Sequence, residues 1–537
     1  MPTYRIMLKE ILSDKKTYLR VIKEMSASTV MLPGSHILIQ NPLDHIFTDE
    51  EAAALRFRVY QSVPKKSRLP KWFIDELPTL SGKTAAQEGR HRVTIALSAI
   101  NSINRLCNLI KRESFHFSRF HAVALLKGPD TGKEPVRMKT KLLLSNYRIL
   151  TLSEKSAYRL MLKPTFPDSL ILRALADLLN KLFPKSYFFR ECCAYIANRG
   201  TKETVRQVMT KLKKGYRVIL RLDIKSFNET VSQEKLLNLI LQQGIESRWT
   251  HEDIDLLKRL MVDYFSRIDE VLGTPGVGIG MGTGLTPLFT NIYLHHLDAY
   301  IKEQKMPFCR FGDDLVLFFK DIPSAECTRS DSIRFVETEL GQQINGAKAV
   351  IVEMSPVSLE KGSSPHGFDF CAYHYYINKD NAPAIRVKEA TIGKIRQRIR
   401  LLTRIPQGHL EKGEIESHHL AIGDIYTDNS NFRLARRIWK ISALLGFPPK
   451  RVIARSTVHT YALGIGWPPS FLNDVSSEDI RQQFMDLDRY ILYRLARFEQ
   501  AAGGDTNAES KFYQRMRNLG LRTFIDAWNR HPRPYRY

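Results

Sequence analysis

The run Phe308-Cys309-Arg310-Phe311-Gly312-Asp313-Asp314-Leu315-Val316-Leu317-Phe318-Phe319 constrains this chain more than any other. Two apolar, aromatic-rich segments of strand composition flank a Gly-Asp-Asp tip, and Gly312 supplies the backbone freedom a tight turn needs. The pattern predicts a β-hairpin that holds two adjacent carboxylates at its end. Like charges side by side repel, and they persist most easily with a cation between them and a partner. Taken alone, such a tip is an ordinary solvated turn. It becomes informative only with a third carboxylate and a nucleotide site elsewhere in the chain.

Charge narrows the class of partner. Among 537 residues, 81 Lys and Arg face 56 Asp and Glu, a net charge of +25. That excess points to a polyanion, most simply nucleic acid. A membrane surface is the alternative, but the sequence has no 18-residue apolar run and no long basic amphipathic helix. The amino-terminal segment MPTYRIMLKEILSDKKTYLR breaks any apolar stretch with charges, so it is not read as a signal peptide. Six cysteines without a C-x-x-C pair are expected to be reduced, buried thiols in a cytoplasmic protein.

Along the chain, helical spacing of apolar residues predicts helices over 94–111, 168–182, 201–212 and 233–242, and later over 387–404, 432–445 and 479–500. Arg217 to Leu222 reads as a buried strand ending at Asp223. Glycines at 273, 276, 278, 280, 282 and 284 mark a loop that is either floppy or closely approached by something. The loop runs into TPLFTNIYLHHLD, a helix predicted to start at Thr286-Pro287. A glycine loop entering a helix amino terminus is a natural dock for phosphate or sugar.

LRLDIKSFNETV around Asp223, the glycine loop with TPLFTNIYLHHLD, and RFGDDLVLFF occur in one order, and Asp313 lies 90 positions after Asp223. Together they resemble motifs A, B and C of the bacterial reverse transcriptases, the superfamily of group II intron, retron and phage-defence enzymes. Ser186 to Arg190 resembles the family's Ser-Tyr-Gly-Phe-Arg segment, Lys348 sits where motif D carries its lysine, and Gly367 to Tyr373 looks like the motif E hairpin. The likeness covers about residues 136–400. It implies an α+β right-hand polymerase: an amino-terminal extension (1–135), fingers (136–215), an antiparallel palm (216–377), the start of a thumb (378–410) and a helical thumb and carboxyl-terminal region (411–537).

What the resemblance implies for chemistry is phosphodiester formation with two Mg²⁺ ions about 4 Å apart, Mn²⁺ being the substitute. By resemblance Asp223 and Asp313 bridge the ions, Asp314 supports them and the Ile224 carbonyl adds a ligand. Lys141 and Arg148 are candidate cations for the incoming triphosphate, and Lys348 a candidate general acid toward pyrophosphate. Partners would be an RNA template or structured RNA, a DNA product and dNTPs, with a homo-oligomer or partner polymerase left open and no membrane.

Two positions depart from the family pattern. Five residues after the metal-binding Asp, where most reverse transcriptases carry Phe or Tyr, stands Asn228, which can hydrogen-bond a hydroxyl. Where the family has Pro-Gln-Gly stands Gly280-Met281-Gly282, a flexible apolar side chain in place of the amide. Asn228, Met281 and Gly282 are therefore the candidate nucleotide- and template-selecting residues. The departures favour a phage-defence enzyme with atypical or weakly templated synthesis. An RNA-synthesising polymerase of the same type and an inactive polymerase-like RNA-binding protein are the alternatives.

Overall fold

The computed structural model describes residues 8–18, 20–21, 103–126, 141–143, 158–247, 249–346, 349–356, 366–403, 478–501, 514 and 516. The predicted helix over 432–445, Arg148 and Lys348 lie outside them, as do residues 94–102 of the first predicted helix. Helix and sheet are both well represented, as an α+β chain requires.

The central sheet is four-stranded and antiparallel, in the order β5-β6-β4-β7, formed by β4 (Val218–Asp223), β5 (Phe308–Phe311), β6 (Asp314–Phe319) and β7 (Val350–Glu353). Successive side chains of a strand point to opposite faces. In β4, Leu220 and Leu222 enter one core with Leu315 and Leu317 of β6. Ile219 enters a second core with Val316 and Phe318. Arg221 and Asp223 share the parity of Ile219, so the last two side chains on the second face are charged. The sheet is covered on both faces, which is why β4 reads as a nearly continuous apolar run.

The first core holds α1 (Leu8–Ser13), α2 (residues 103–111), α3 (Phe166–Leu182), α5 (Gln233–Glu246), α6 (His251–Leu272) and α7 (Thr286–Glu303), and the helix Ile322–Thr338 joins it through Ala325 and Val336. Thr250 caps α6 by accepting from the Asp253 N–H at 3.1 Å, and Gly273 ends it in a left-handed conformation. Asp253 in turn accepts from the Leu8 N–H at 2.6 Å, docking the amino-terminal helix on α6. The second core gathers α4 (Thr201–Lys213), the three-stranded sheet β10-β9-β8 (β8, Gly367–Phe370; β9, Tyr373–Ile377; β10, Pro383–Val387), α10 (Glu389–Leu402) and α11 (Glu478–Ala501). A third sheet, β2-β1-β3, comprises β1 (His121–Leu126), β2 (Lys141–Leu143) and β3 (Tyr158–Lys163). No helix among the described residues is long and apolar enough to cross a membrane.

Most predicted elements stand within a few residues of their expected bounds, α10 and α11 included. α6 and α9 (Ile322–Thr338) were not assigned from the sequence. The thiols also differ from expectation. All six cysteines are free, but Cys327 is exposed, because it lies on the outward face of α9 with Asp331 one turn on. Residues 227–230 add a short helical turn, α5 being preceded by it; it is called the 227–230 turn below.

Candidate active site

The register of the central sheet assembles the carboxylates. β4 and β6 pair so that Asp223 lies directly opposite Asp314. Asp313 occupies the β5–β6 turn, where Gly312 adopts φ +69°, a conformation an L side chain enters only with strain. Three acids thus meet at one sheet end. Arg221, two residues before Asp223 and on the same face, donates through Nε to Asp314 Oδ1 at 3.1 Å and through Nη2 to Oδ2 at 3.2 Å. Burial pushes the Asp314 carboxyl up; Arg221 pulls it down, and Asp223 and Asp313 push it further up. Asn345 reaches Asp223 twice, its backbone N–H on the Asp223 carbonyl at 2.8 Å and its side-chain amide on Oδ2 at 3.5 Å. Ile224 bridges Ile344, but the bonds there are made by the Lys225 N–H and the Asp223 carbonyl, so the Ile224 carbonyl takes no part.

Beneath the turn lies Arg310, fully buried. Its Nε and Nη2 donate to Asp298 Oδ1 and Oδ2 at 2.7 and 2.6 Å, a bidentate pair with α7. Its Nη1 donates to Asn291 Oδ1 at 3.1 Å and to the Gly312 carbonyl at 2.8 Å, and Nη2 also approaches Cys192 Sγ at 3.0 Å. The Gly312 carbonyl is therefore tied through Arg310 to α7, which explains why the NIYLHHLD helix carries a buried Asn and a buried Asp. Burial raises the Cys192 thiol to about 12, so it stays neutral. Burial, with Arg310 and His296 adding to it, lowers His295 to about 4, so it too is neutral beside the guanidinium. One cation and one anion are left in the knot.

The glycine loop is held by bonds to the chain itself. Gly278 N–H donates to the Val231 carbonyl at 2.7 Å and Ile279 N–H to the Asn228 carbonyl at 2.9 Å. The Leu162 N–H of β3 donates to the Met281 carbonyl at 2.7 Å, and Met161 and Met281 form a parallel bridge. A Cβ on Gly280 would fall 2.3 Å from Leu162 Cδ1, and one on Gly282 2.9 Å from the Leu162 carbonyl. The close approach that glycine permits is to the chain's own strand β3. Thr286 is the first residue of α7 rather than its cap, and its hydroxyl donates back to the Gly280 carbonyl at 2.7 Å.

With this geometry in place, comparison with known proteins is specific. Residues 152–374 match the family model described as reverse transcriptase (RNA-dependent DNA polymerase). Over that range the chain is similar to the reverse transcriptase family. Among curated relatives, the group II intron-encoded protein LtrA of Lactococcus lactis is 26% identical over 147 residues, 27% of this chain. The match spans 23% of that relative's length. Solved telomerase structures from Candida albicans and Candida tropicalis align over 81% and 98% of this chain and 73% and 93% of theirs. At 10% and 13% identity and TM-scores of 0.32 and 0.33, that likeness carries no weight for fold or function.

The matched range is mixed helix and sheet around an antiparallel central sheet, consistent with the α+β class of a right-hand polymerase. The matched range holds Asp223, Ile224, Asn228, Met281, Gly282, Asp313 and Asp314; the sheet end brings the three acids together, while Met281 packs on β3 and the Asn228 carbonyl accepts from Ile279 of the glycine loop. Asn228 sits in the 227–230 turn, and its Oδ1 is buried with no hydrogen-bond partner among the described residues. Lys141 opens β2, opposite Leu125 of β1. Residues the sequence did not single out are Arg221, Asn345 and Asp298. The alternation that puts Arg221 on the face of Asp223 is visible in VILRLD; its pairing with Asp314, 93 positions away, is not.

The donor set suits Mg²⁺ of a particular kind. Among the described residues no group of three or more His, Cys, Asp or Glu side chains forms a ready metal cage. Mg²⁺ commonly takes one or two carboxylates and completes its shell with water and substrate phosphates. Hard oxygen donors at Asp223 and Asp313, with Asp314 engaged by Arg221, fit that description.

Proposed function

We propose that the protein is an RNA-directed DNA polymerase that adds dNTPs to a 3′-hydroxyl. The observation that carries this is the Asp223–Asp314 register, with Asp313 on the adjoining turn. Asp223 and Asp313 supply the oxygen ligands, the Ile224 carbonyl adding one more. Two Mg²⁺ ions bound there would activate the hydroxyl and absorb the charge of the leaving pyrophosphate. Arg221 holds Asp314 in place, and Asn345 orients Asp223. Lys141 and Arg148 would take the triphosphate, and Lys348 would protonate pyrophosphate.

The substrate partners are a nucleic-acid template and primer, in keeping with the net charge of +25. Asn228 and Met281 support an atypical or weakly templated mode and a place in antiviral defence, in the cytoplasm. Asp313→Ala is expected to abolish incorporation of labelled dNTP while leaving the circular dichroism and melting profile of the wild type. Undiminished incorporation by that variant would refute the assignment.

A second reading has one observation in its favour. The buried Oδ1 of Asn228, without a partner among the described residues, is an acceptor that a donor could fill, and a ribose 2′-hydroxyl is one. RNA synthesis is favoured if labelled rNTPs are incorporated as fast as dNTPs. The third reading, a polymerase-like RNA-binding protein without catalysis, is favoured if neither is.

A further inference from the structure

Tyr195 lies beside the carboxylate turn and takes no part in the chemistry assigned above. Its side chain is exposed, at 61% relative accessibility, in a chain whose aromatic residues are largely buried among the described residues. Its backbone is left-handed, φ +61°. For a bulky side chain that is a true outlier, and such strain persists only where the surroundings dictate it.

The surroundings do dictate it. Arg199 reaches across residues 185–192, Nη1 donating to the carbonyls of Phe189 at 2.5 Å and Cys192 at 2.8 Å, and Nη2 to that of Lys185 at 2.8 Å. Asn291 Nδ2 donates to the Ala194 carbonyl at 2.8 Å, and the Cys193 N–H to the Arg310 carbonyl at 3.0 Å. The residues preceding Tyr195 are thus fixed to the same α7 and the same Arg310 that fix the Gly312 turn. The ring itself lies close to that turn: a Cβ on Gly312 would meet Tyr195 Cε2 at 3.7 Å. Gly312 is followed directly by Asp313. The aromatic surface is therefore held, at backbone cost, within about one residue's length, ~3.8 Å, of the position preceding a proposed catalytic acid.

We propose that Tyr195 is a stacking platform for the base at the 3′ end of the strand being extended. This rests on the polymerase reading, because that reading places a strand terminus at Asp223 and Asp313. A planar ring accepts any base face, which suits a site that must hold every nucleotide in turn. A rigid ring also loses little freedom on binding, because its backbone is already pinned.

The test uses the full-length protein and a DNA primer annealed to an RNA template, with 2-aminopurine at the primer 3′ end. The wild type is expected to quench the fluorophore on binding. Tyr195→Phe and Tyr195→Trp are expected to retain the quenching. Tyr195→Ala and Tyr195→Gly are expected to lose it and to bind the duplex about 10-fold more weakly. Tyr195→Gly relieves the left-handed backbone, so its melting temperature should equal or exceed that of the wild type.

Absence of quenching by the wild type, full quenching and affinity in Tyr195→Ala, or loss in Tyr195→Phe equal to that in Tyr195→Ala would each overturn the proposal. So would a Tyr195→Gly protein that melts below the wild type, which would make the ring a packing group. Asp313→Ala separates the two readings: it should quench as the wild type does and incorporate nothing. If it still incorporates, the polymerase reading fails whatever Tyr195 does.

Discussion

Two arginine–aspartate pairs flank the Gly312–Asp314 turn. They share bidentate geometry and differ in depth. Arg310–Asp298 is sealed beneath the turn, with side-chain exposures of 1% and 0%, and its further donors reach Asn291, Cys192 and the Gly312 carbonyl. Arg221–Asp314 sits at the sheet end, with 28% and 26% exposed, and its guanidinium donates to both oxygens of one carboxylate. The deep pair cannot be hydrated, so it must stay whole and the turn stays with it. The shallow pair can open toward solvent or toward a cation, so it suits a group whose surroundings change when substrate arrives.

The largest effect should come from breaking the deep pair. Arg310→Ala or Asp298→Ala leaves an uncompensated buried charge and is expected to cost about 3–5 kcal/mol in chemical denaturation. Arg310→Met combined with Asp298→Leu should recover much of that loss, because apolar groups need no partner. A double variant no more stable than the singles would break the comparison. At the shallow pair, Arg221→Gln should cost about 1 kcal/mol of stability. Its main effect should be on function, as a higher Mg²⁺ concentration for half-maximal incorporation. A stability loss equal to that of Arg310→Ala would mean that depth does not separate the pairs.

The last effect is nil at neutral pH and appears only in acid. His295 lies against Phe189 with ring centroids 5.1 Å apart and near Arg310, and its folded-state value of about 4 lies below the ordinary 6.5. The folded protein therefore disfavours the imidazolium. The contribution is present in full above pH 6.5 and is lost as pH falls from 6.5 through about 4. Denaturation midpoints of the wild type should fall across that window, and His295→Gln should show a shallower fall there.

Much of the site was legible because it is written in local patterns. Strand composition on both sides of Gly312 predicts the hairpin, and the apolar run ending at Asp223 predicts the second strand. What these patterns omit is register. That Asp223 faces Asp314, and that Arg221 can reach it, follows only once β4 and β6 are aligned. Arg310 reads in sequence as one more basic residue in a very basic chain; its role depends on α7 passing below. The glycine loop shows the same gap. Glycines announce a close approach, and the approaching group proved to be Leu162 of β3, more than a hundred positions earlier. The 251–272 helix shows a different gap: its apolar spacing was there to be read and was not assigned. Lys348 and Arg148 fall outside the described residues, and Lys141 is placed only by its strand.

The parity of β4 has a consequence for insertions and deletions. Ile219, Arg221 and Asp223 face one way, and Leu220 and Leu222 the other. Removing a single residue before Asp223, with the start of the strand held in register, would bring Ile224 to the turn and drive Asp223 toward the apolar core on the other face. A point substitution removes one group from the site, whereas a frame slip of one position in this strand would exchange the two faces along its whole length.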